Sequence, residues 1–433
     1  MHRIVVLLAM LIALPLAANE KEIATKTLKN GMKVIVWPDR DIPNVALYNW
    51  FRVGSRNEVP GITGLSHFFE HMMFNGAKKY GPGEFDRVME ARGGSNNAYT
   101  SSDVTVYQDW FPRTALELIF DLEADRLQDL AFDPKMIESE RGVVYSERRS
   151  SVDNIPENKL SEDVQATAFV AHPYQIPTIG WPSDIESWSN DDLVRYFKTY
   201  YAPNNATMIV VGDVKPGEIF ALAEKYIEPI PQQQPPAPVR TKEPEQLGER
   251  RVSLEREAQV PLLQMAYHIG SAADPDSEAL DLLMAILTSG ESSRLHQRLV
   301  EKERIAISVG GFRDGGFDPG LAWFFTTLTP EADLAKAEAI LDDELQRLVR
   351  DGVTPAELKK AKNIVLANFW RRMKTINGKA QSLGTYEVFH GDYEKLFTAP
   401  ERYEALTIDQ VKAVAAKVLR RSNRTVGVLE VAK

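Results

Sequence analysis

The segment His67-Phe68-Phe69-Glu70-His71 carries the strongest signal in this 433-residue sequence. Residues four apart lie on one face of an α-helix, so His67 and His71 can direct both imidazoles at one metal ion. Glu70 lies beside that face, close enough to accept a proton from water without being a ligand itself. The order H-x-x-E-H is the inverse of a common zinc signature and predicts a metal site on a helix. The alternative is a pair of surface histidines flanking a helix glutamate.

Composition limits the chemistry of such a site. The chain carries 51 basic and 61 acidic residues, and its net charge of −10 argues against nonspecific binding to nucleic acid or to anionic membranes. It has no cysteine, which excludes disulfides, thiolate ligands and cysteine nucleophiles. A transition-metal site in this chain must therefore use histidine and carboxylate ligands.

The N-terminus has the pattern of a secretory signal peptide. Arg3 precedes an apolar run over residues 4–16, and the small residues Ala17 and Ala18 lie before a polar stretch. The run is shorter than a bilayer-spanning helix requires. We expect residues 1–18 to be removed on export, which means the periplasm if the source is a Gram-negative bacterium. A retained membrane anchor is the alternative, and no later segment approaches spanning length.

A proline-rich stretch at residues 229–245 predicts an extended linker between two domains. The predicted domains are residues 19–228 and 246–433, each of ordinary domain size. They read as divergent repeats, because residues 45–55 and 261–271 are both apolar strands that end in Gly-Ser. The order of strands and helices in each half predicts an α+β fold with helices packed on one face of a sheet.

The repeat predicts which half holds the metal. When the two Gly-Ser sequences are aligned, the second-half equivalents of the three motif residues are Leu283, Ile286 and Leu287. Aliphatic side chains do not bind metal ions. We therefore expect a metal site in the N-terminal half alone, with the C-terminal copy covering the site or gripping substrate.

Helix starts are indicated by a polar residue followed by proline, which favours the first helical position. The dipeptides Asp133-Pro134, Thr329-Pro330 and Thr354-Pro355 fit this pattern. They predict helices that begin at Pro134, Pro330 and Pro355.

The helix that begins at Pro134 offers a third ligand. A catalytic zinc site needs three protein ligands and one open position. Glu140 and Glu147 are seven residues apart, about two turns, and so share one face. One could bind the metal while the other orients a ligand through a hydrogen bond. Local sequence alone favours the alternative, a solvated face whose glutamates pair with neighbouring arginines.

With these motifs in place, the sequence resembles the pitrilysin/insulinase-type metallopeptidases, which include the mitochondrial processing peptidase. The resemblance covers essentially the whole mature chain and rests on motifs at residues 54–58, 64–74, 93–100, 140–147, 172–174 and 200–204. The family's ligand spacing selects Glu147, and Glu140 matches a supporting residue. The resemblance implies one Zn²⁺ per chain held by His67, His71 and Glu147, with Glu70 as general base in peptide hydrolysis.

The resemblance also implies how substrate binds. Family members pair two homologous α+β domains into half of a clamshell chamber, which suits short or unfolded peptides. The peptide adds as a strand to a sheet edge beside the metal, where Asn97 and Ala98 match the lining positions. For Asn97, a turn role in its Gly-Gly-Ser-Asn-Asn segment has equal local support. Mn²⁺ or Co²⁺ could use the same three metal ligands.

One departure from the family pattern predicts a partner chain. Active members commonly carry an arginine and a tyrosine, seven residues apart, after a Ser-Ser-Arg-Leu-like segment. Here that segment is residues 292–295, and the two positions hold Val300 and Ile307. We therefore expect the zinc-bearing subunit of a heterodimer whose homologous partner carries the missing pair. A self-sufficient homodimer is one alternative, and a noncatalytic structural subunit like the core proteins of respiratory complexes is another.

Overall fold

The computed structural model of the chain describes residues 22–432, so the predicted signal peptide at 1–18 lies outside the described residues. The strands are β1 (Ala24–Thr27), β2 (Lys33–Pro38), β3 (Asn44–Phe51), β4 (Ser95–Thr100), β5 (Thr105–Pro112), β6 (Ala206–Gly212), β7 (Arg250–Arg256), β8 (Leu262–His268), β9 (Ala306–Arg313), β10 (Leu321–Leu328) and β11 (Arg424–Val431).

The described α-helices of the N-terminal half are α1 (Leu65–Met72), α2 (Glu84–Glu90), α3 (Leu116–Gln128), α4 (Pro134–Arg148), α5 (Pro156–Ala168), α6 (Pro182–Ser187), α7 (Asn190–Tyr200) and α8 (Pro216–Leu222). Those of the C-terminal half are α9 (Ser277–Thr288), α10 (Leu334–Asp351), α11 (Pro355–Arg372), α12 (Ile376–His390), α13 (Ala399–Ala405) and α14 (Ile408–Val418). Within the described residues, none of these helices combines the length and apolarity that crossing a bilayer requires.

The two halves build sheets of matching topology. The first sheet has the order β1-β2-β6-β3-β5-β4 and the second has β7-β11-β8-β10-β9. In each sheet one pair is parallel, β2 with β6 and β7 with β11, and the other pairs are antiparallel. Apart from the extra β1, the second sheet repeats the first strand for strand. The predicted α+β fold with two related, mostly antiparallel sheets is confirmed.

The second face of each sheet is covered by a helix from the other half of the chain. Helix α12 packs on β3 and β6 of the first sheet, and α5 packs on β7, β8 and β11 of the second. Glycine allows both close approaches. A Cβ on Gly384 of α12 would lie 2.1 Å from the Trp50 ring, and one on Gly427 of β11 would lie 2.2 Å from a Val164 methyl of α5. The prediction of helices on one face therefore described only part of the packing.

This exchange explains why the central strands carry buried apolar residues on both faces. In β3, Val45 and Leu47 face the core beneath α1, α3 and α7, whereas Tyr48 and Trp50 face the core shared with the C-terminal half. All four side chains are at most 4% exposed. A strand buried on both faces reads as a continuous apolar run, without the alternation of a half-exposed strand.

Two of the three predicted helix starts agree with the structure. Helix α4 begins at Pro134, and the Asp133 side chain accepts hydrogen bonds from the next turn. Helix α11 begins at Pro355, with a capping box formed by the preceding threonine. The predicted start at Pro330 is wrong, because α10 begins at Leu334 and is capped by Asp333, whose side chain accepts from Lys336 N. The Asp333 side chain satisfies an otherwise unpaired N–H group of the first turn, which Pro330 cannot do.

Candidate metal centre

Helix α1 presents the H-x-x-E-H motif to a cleft. Its apolar side chains Leu65, Phe68, Phe69 and Met72 are at most 1% exposed and pack into the core of the N-terminal half. Helical periodicity then turns His67, Glu70 and His71 to the opposite side. His67 and Glu70 line a cleft of about 460 Å³, together with Thr100, Glu147 and residues of α5.

Helix α4 lies across from α1 and brings both predicted glutamates to the histidines. Glu147 Oε2 lies 3.7 Å from His67 Nε2 and 3.4 Å from His71 Nε2. Glu140 lies on the other side of the His71 ring, with Oε1 2.7 Å from Nδ1. In the neutral imidazole, this hydrogen bond favours the proton on Nδ1, so that Nε2 is the nitrogen that can bind a metal.

The donor set formed by His67, His71 and Glu147 fits a zinc ion. One potential ligand atom from each residue lies within 4.8 Å of the other two. Tetrahedral zinc with bonds of about 2.0–2.1 Å holds neighbouring ligand atoms about 3.3 Å apart, close to both distances from Glu147. Two imidazoles and one carboxylate also leave a fourth position open, as in catalytic zinc sites. We treat these three residues as the candidate metal ligands.

Burial and neighbouring charges give the motif residues different electrostatic properties. Burial, together with the nearby His71, lowers the pKa of His67 to about 4, although Glu147 opposes the shift. Burial also lowers the pKa of His71, but the hydrogen bonds and charges of Glu140 and Glu147 outweigh it and raise that pKa to about 9. These values describe the metal-free protein. Burial raises the pKa of Glu70, and a hydrogen bond from Thr100 partly offsets the effect.

Two neighbours that sequence reasoning did not assign hold the site residues in place. Thr100 Oγ1 donates to Glu70 Oε2 at 2.6 Å, and Asn75 Nδ2 donates to Glu140 Oε2 at 2.7 Å. Asn75 lies in the turn after α1, only four residues beyond His71, so its proximity in sequence is the one signal that could have pointed to it. Thr100 comes from a strand distant in sequence, and no local pattern indicates its contact with Glu70.

The predicted substrate-lining residues lie on β4, at the edge of the first sheet. In the described chain β4 pairs with β5 alone, so its other edge has no strand partner. Asn97 is exposed and Ala98 packs partly against the core. Of the β4 residues, Tyr99 and Thr100 line the cleft, whereas Asn97 and Ala98 lie earlier in the strand, outside the cleft lining.

Among its described residues, the second half has no counterpart of this centre. Its equivalent helix, α9, places Leu283, Ile286 and Leu287 in the core, each at most 4% exposed. Val300 packs partly buried against that core, in a short π-helical segment over His296–Lys302. Ile307 is 55% exposed on β9. Among the described residues the candidate metal group is found only in the N-terminal half.

Family models match most of the chain. Residues 34–181 match the model described as "Insulinase (Peptidase family M16)". Residues 187–365 match the model described as "Peptidase M16 inactive domain". The first match contains every residue of the candidate metal centre, and the second contains the aliphatic copy.

Individual relatives extend over nearly the whole length. The chain is 31% identical to the zinc protease PqqE of Helicobacter pylori, over 92% of this chain and 90% of that protein. It is 24% identical to the uncharacterized zinc protease YmxG of Bacillus subtilis, over 90% of this chain and 94% of that one.

Solved structures share the fold. A protease from H. pylori superimposes with a TM-score of 0.91 at 29% identity, covering 94% of this chain and 99% of that chain. The periplasmic protease PqqL from Escherichia coli gives a TM-score of 0.78 at 20% identity. That match covers 95% of this chain but 48% of PqqL, so the fold described here corresponds to about half of the longer molecule.

Proposed function

Because this chain belongs to the insulinase family of metallopeptidases, peptidase family M16, we propose that it is a zinc-dependent endopeptidase acting on short or unfolded peptides. The observation that carries the proposal is the convergence of His67, His71 and Glu147, with one potential ligand atom from each within 4.8 Å of the others. Glu70 lines the same cleft and supplies the base that hydrolysis requires.

The proposed mechanism assigns the proton transfers to Glu70. A zinc ion bound here would acidify water toward a pKa of about 7 and polarise the substrate carbonyl. Thr100 donates to Glu70 Oε2, which leaves Oε1 free to take the proton from the attacking water. The same oxygen then delivers that proton to the leaving nitrogen. Burial raises the Glu70 pKa, which brings the carboxylate closer to the range of an effective general base.

The edge of β4 is the proposed substrate-binding strand. A peptide added there would make main-chain hydrogen bonds with residues such as Asn97 and Ala98, which gives affinity with modest side-chain specificity. The strand ends at Thr100, whose hydroxyl contacts Glu70. A bound peptide would therefore run directly toward the base and the candidate ligands.

We further propose that the chain works as the catalytic subunit of a heterodimer. Val300 and Ile307 occupy the positions at which the family pattern has an arginine and a tyrosine, and neither aliphatic side chain can donate a hydrogen bond to substrate. A homologous partner that carries this pair would supply the donors. The match to about half of PqqL agrees with a chain that forms one half of a larger enclosure.

We propose that the protein is exported and that its N-terminal signal peptide is removed. Residues 1–18 have the charge and apolar pattern of a signal peptide. PqqL, which shares the fold, is described as periplasmic. N-terminal sequencing of the protein purified from its native host tests this proposal, and the expected first residue is Asn19.

The test of activity compares three proteins on a quenched-fluorescent peptide library. Wild type should bind one zinc and cleave peptides. Glu70→Gln should keep the zinc but lose turnover by a thousandfold or so, of the order attributed to general-base catalysis. Glu90→Gln, at an exposed position on α2, is the matched control and should behave as wild type. Undiminished cleavage by the Glu70 variant would refute its role.

The heterodimer is tested by assaying the chain alone and after co-purification with a homologous subunit that carries the arginine–tyrosine pair. We expect weak cleavage by the isolated chain and strong cleavage by the pair. Full activity of the isolated chain would favour a homodimer. Zinc binding without cleavage under either condition would favour a noncatalytic subunit.

A further inference from the structure

The Glu147 side chain has little support of its own. In the part of the chain that the structure describes, its carboxylate makes polar contacts with His67 and His71 alone. The side chain is 41% exposed. It also lies in the last turn of α4, directly before a π-helical turn over Arg149–Asp153. A residue at such a helix end is held in place as a metal ligand only if neighbouring contacts fix the position of the helix end.

The adjacent residue, Arg148, is anchored on three sides. It is 2% exposed. Its guanidinium donates two hydrogen bonds of 2.9 Å to the Glu162 carboxylate on α5 and one of 2.7 Å to Gly180 O. The third partner is Asp153 at the end of the π-helical turn, which the guanidinium contacts at 3.3 Å. The planar fork of arginine is suited to holding several acceptors at once.

The Gly180 contact leads directly to the histidine helix. A Cβ on Gly180 would lie 2.5 Å from Thr63 O and 2.6 Å from the Cα of Gly64, the N-cap residue of α1. Only glycine fits this approach, so the Gly180 backbone lies in tight contact with the start of α1. The Trp181 amide also donates to Thr63 Oγ1 at 2.9 Å. Arg148 thus joins the end of the glutamate helix to the beginning of the histidine helix.

We propose that Arg148 is a positioning residue, which sets the spacing between α4 and α1 and thereby holds Glu147 against His67 and His71. The inference rests on the proposed zinc site. It adds to that site the ion pair between Arg148 and Glu162, which does not contact the donor atoms of the candidate metal ligands. Loss of the anchor should let the Glu147 carboxylate move away from the histidines and weaken metal binding.

The test measures zinc affinity in three variants by competition with a chromophoric chelator. Arg148→Lys keeps the charge but cannot form the forked contact. The double variant Arg148→Met with Glu162→Met removes both buried charges together, so that no unpaired charge remains in the interior. Arg149→Met changes the exposed neighbour and is the matched control. Circular dichroism and thermal unfolding establish that each variant is folded.

We expect zinc to bind about 10–100-fold more weakly to the two Arg148 variants, the range typical for loss of an outer support at a metal site. The visible absorption spectrum of the Co²⁺-substituted protein should change with them, because it reports ligand geometry independently of activity. Wild-type affinity and spectrum in the folded double variant would overturn the inference. Failure of the wild-type protein to bind zinc would instead overturn the proposed function.

Discussion

The hydrogen bond between Glu140 and His71 can be tested by a single-atom change. Replacing Glu140 with glutamine keeps the shape of the side chain and an acceptor oxygen for His71 Nδ1–H, but removes the negative charge. The present contact is 2.7 Å long, as is the second bond that Glu140 accepts from Asn75. Both are short, as expected of bonds to an ionised carboxylate.

The expected effect follows from the strength of these bonds. Hydrogen bonds to a charged group are worth about 1.5–3 kcal/mol, and neutral ones about 0.5–1.5 kcal/mol. The substitution should therefore cost about 1–1.5 kcal/mol of metal-binding free energy, or roughly a tenfold loss of zinc affinity. Glu140→Ala, which removes every polar atom that contacts His71 and Asn75, should lose closer to a hundredfold, near the upper limit for such supporting residues.

The assay is equilibrium competition with a chromophoric zinc chelator at neutral pH. Glu138→Gln is the control, because Glu138 lies on the same helix, is 78% exposed and has one ion pair of 3.4 Å to Arg141. It should bind zinc as wild type does. If Glu140→Gln also binds zinc with wild-type affinity, then Glu140 does not support His71 and the reasoning from their hydrogen bond is wrong.

Two further predictions concern stability. Gly384→Ala should destabilise the protein by about 1–3 kcal/mol, because the new Cβ would lie 2.1 Å from the Trp50 ring; Gly217→Ala, with open space at its Cβ, is the control in thermal unfolding. Hydrogen bonds from Arg294 hold the pKa of Glu357 at about 2, so this carboxylate stabilises the fold above its unfolded pKa near 4.5 and loses that contribution as pH falls toward 2. Urea unfolding of Glu357→Gln should show a deficit of about 1 kcal/mol at pH 7 that shrinks below pH 4.5, and a pH-independent deficit would contradict the assignment.

The candidate metal centre could be predicted from the sequence because most of its residues are close together in the chain. His67, Glu70 and His71 lie within five residues, and helical geometry alone brings them together. Glu140 and Glu147 share one face of α4, so helical spacing identified both residues, and the family resemblance supplied the expected role of each. Only the three-dimensional structure places Glu140 at Nδ1 of His71 and Glu147 at Nε2.

Other contacts depend on packing between distant segments and have no local signature. Thr100 reaches Glu70 from an adjacent strand, and Arg148 reaches Gly180 from another helix. The covering of each sheet by a helix from the opposite half was also missed. The local sequences of α5 and α12 do not identify the sheet on which each helix packs. The helix predicted to begin at Pro330 instead begins after the Asp333 cap, which lies three residues downstream of the predicted start.

The helix exchange has a consequence for how the chain folds. The face of the first sheet that carries Tyr48 and Trp50 is sealed by α12, which is synthesised near the end of the chain. Contacts of such large sequence separation form late, because the entropy of closing the loop must be overcome first. A nascent N-terminal half therefore exposes an aromatic surface until almost the whole polypeptide is available. Its candidate metal ligands are synthesised early, but the sheet behind them is completed only when the C-terminal half is available. Chaperone dependence should be greatest in that interval.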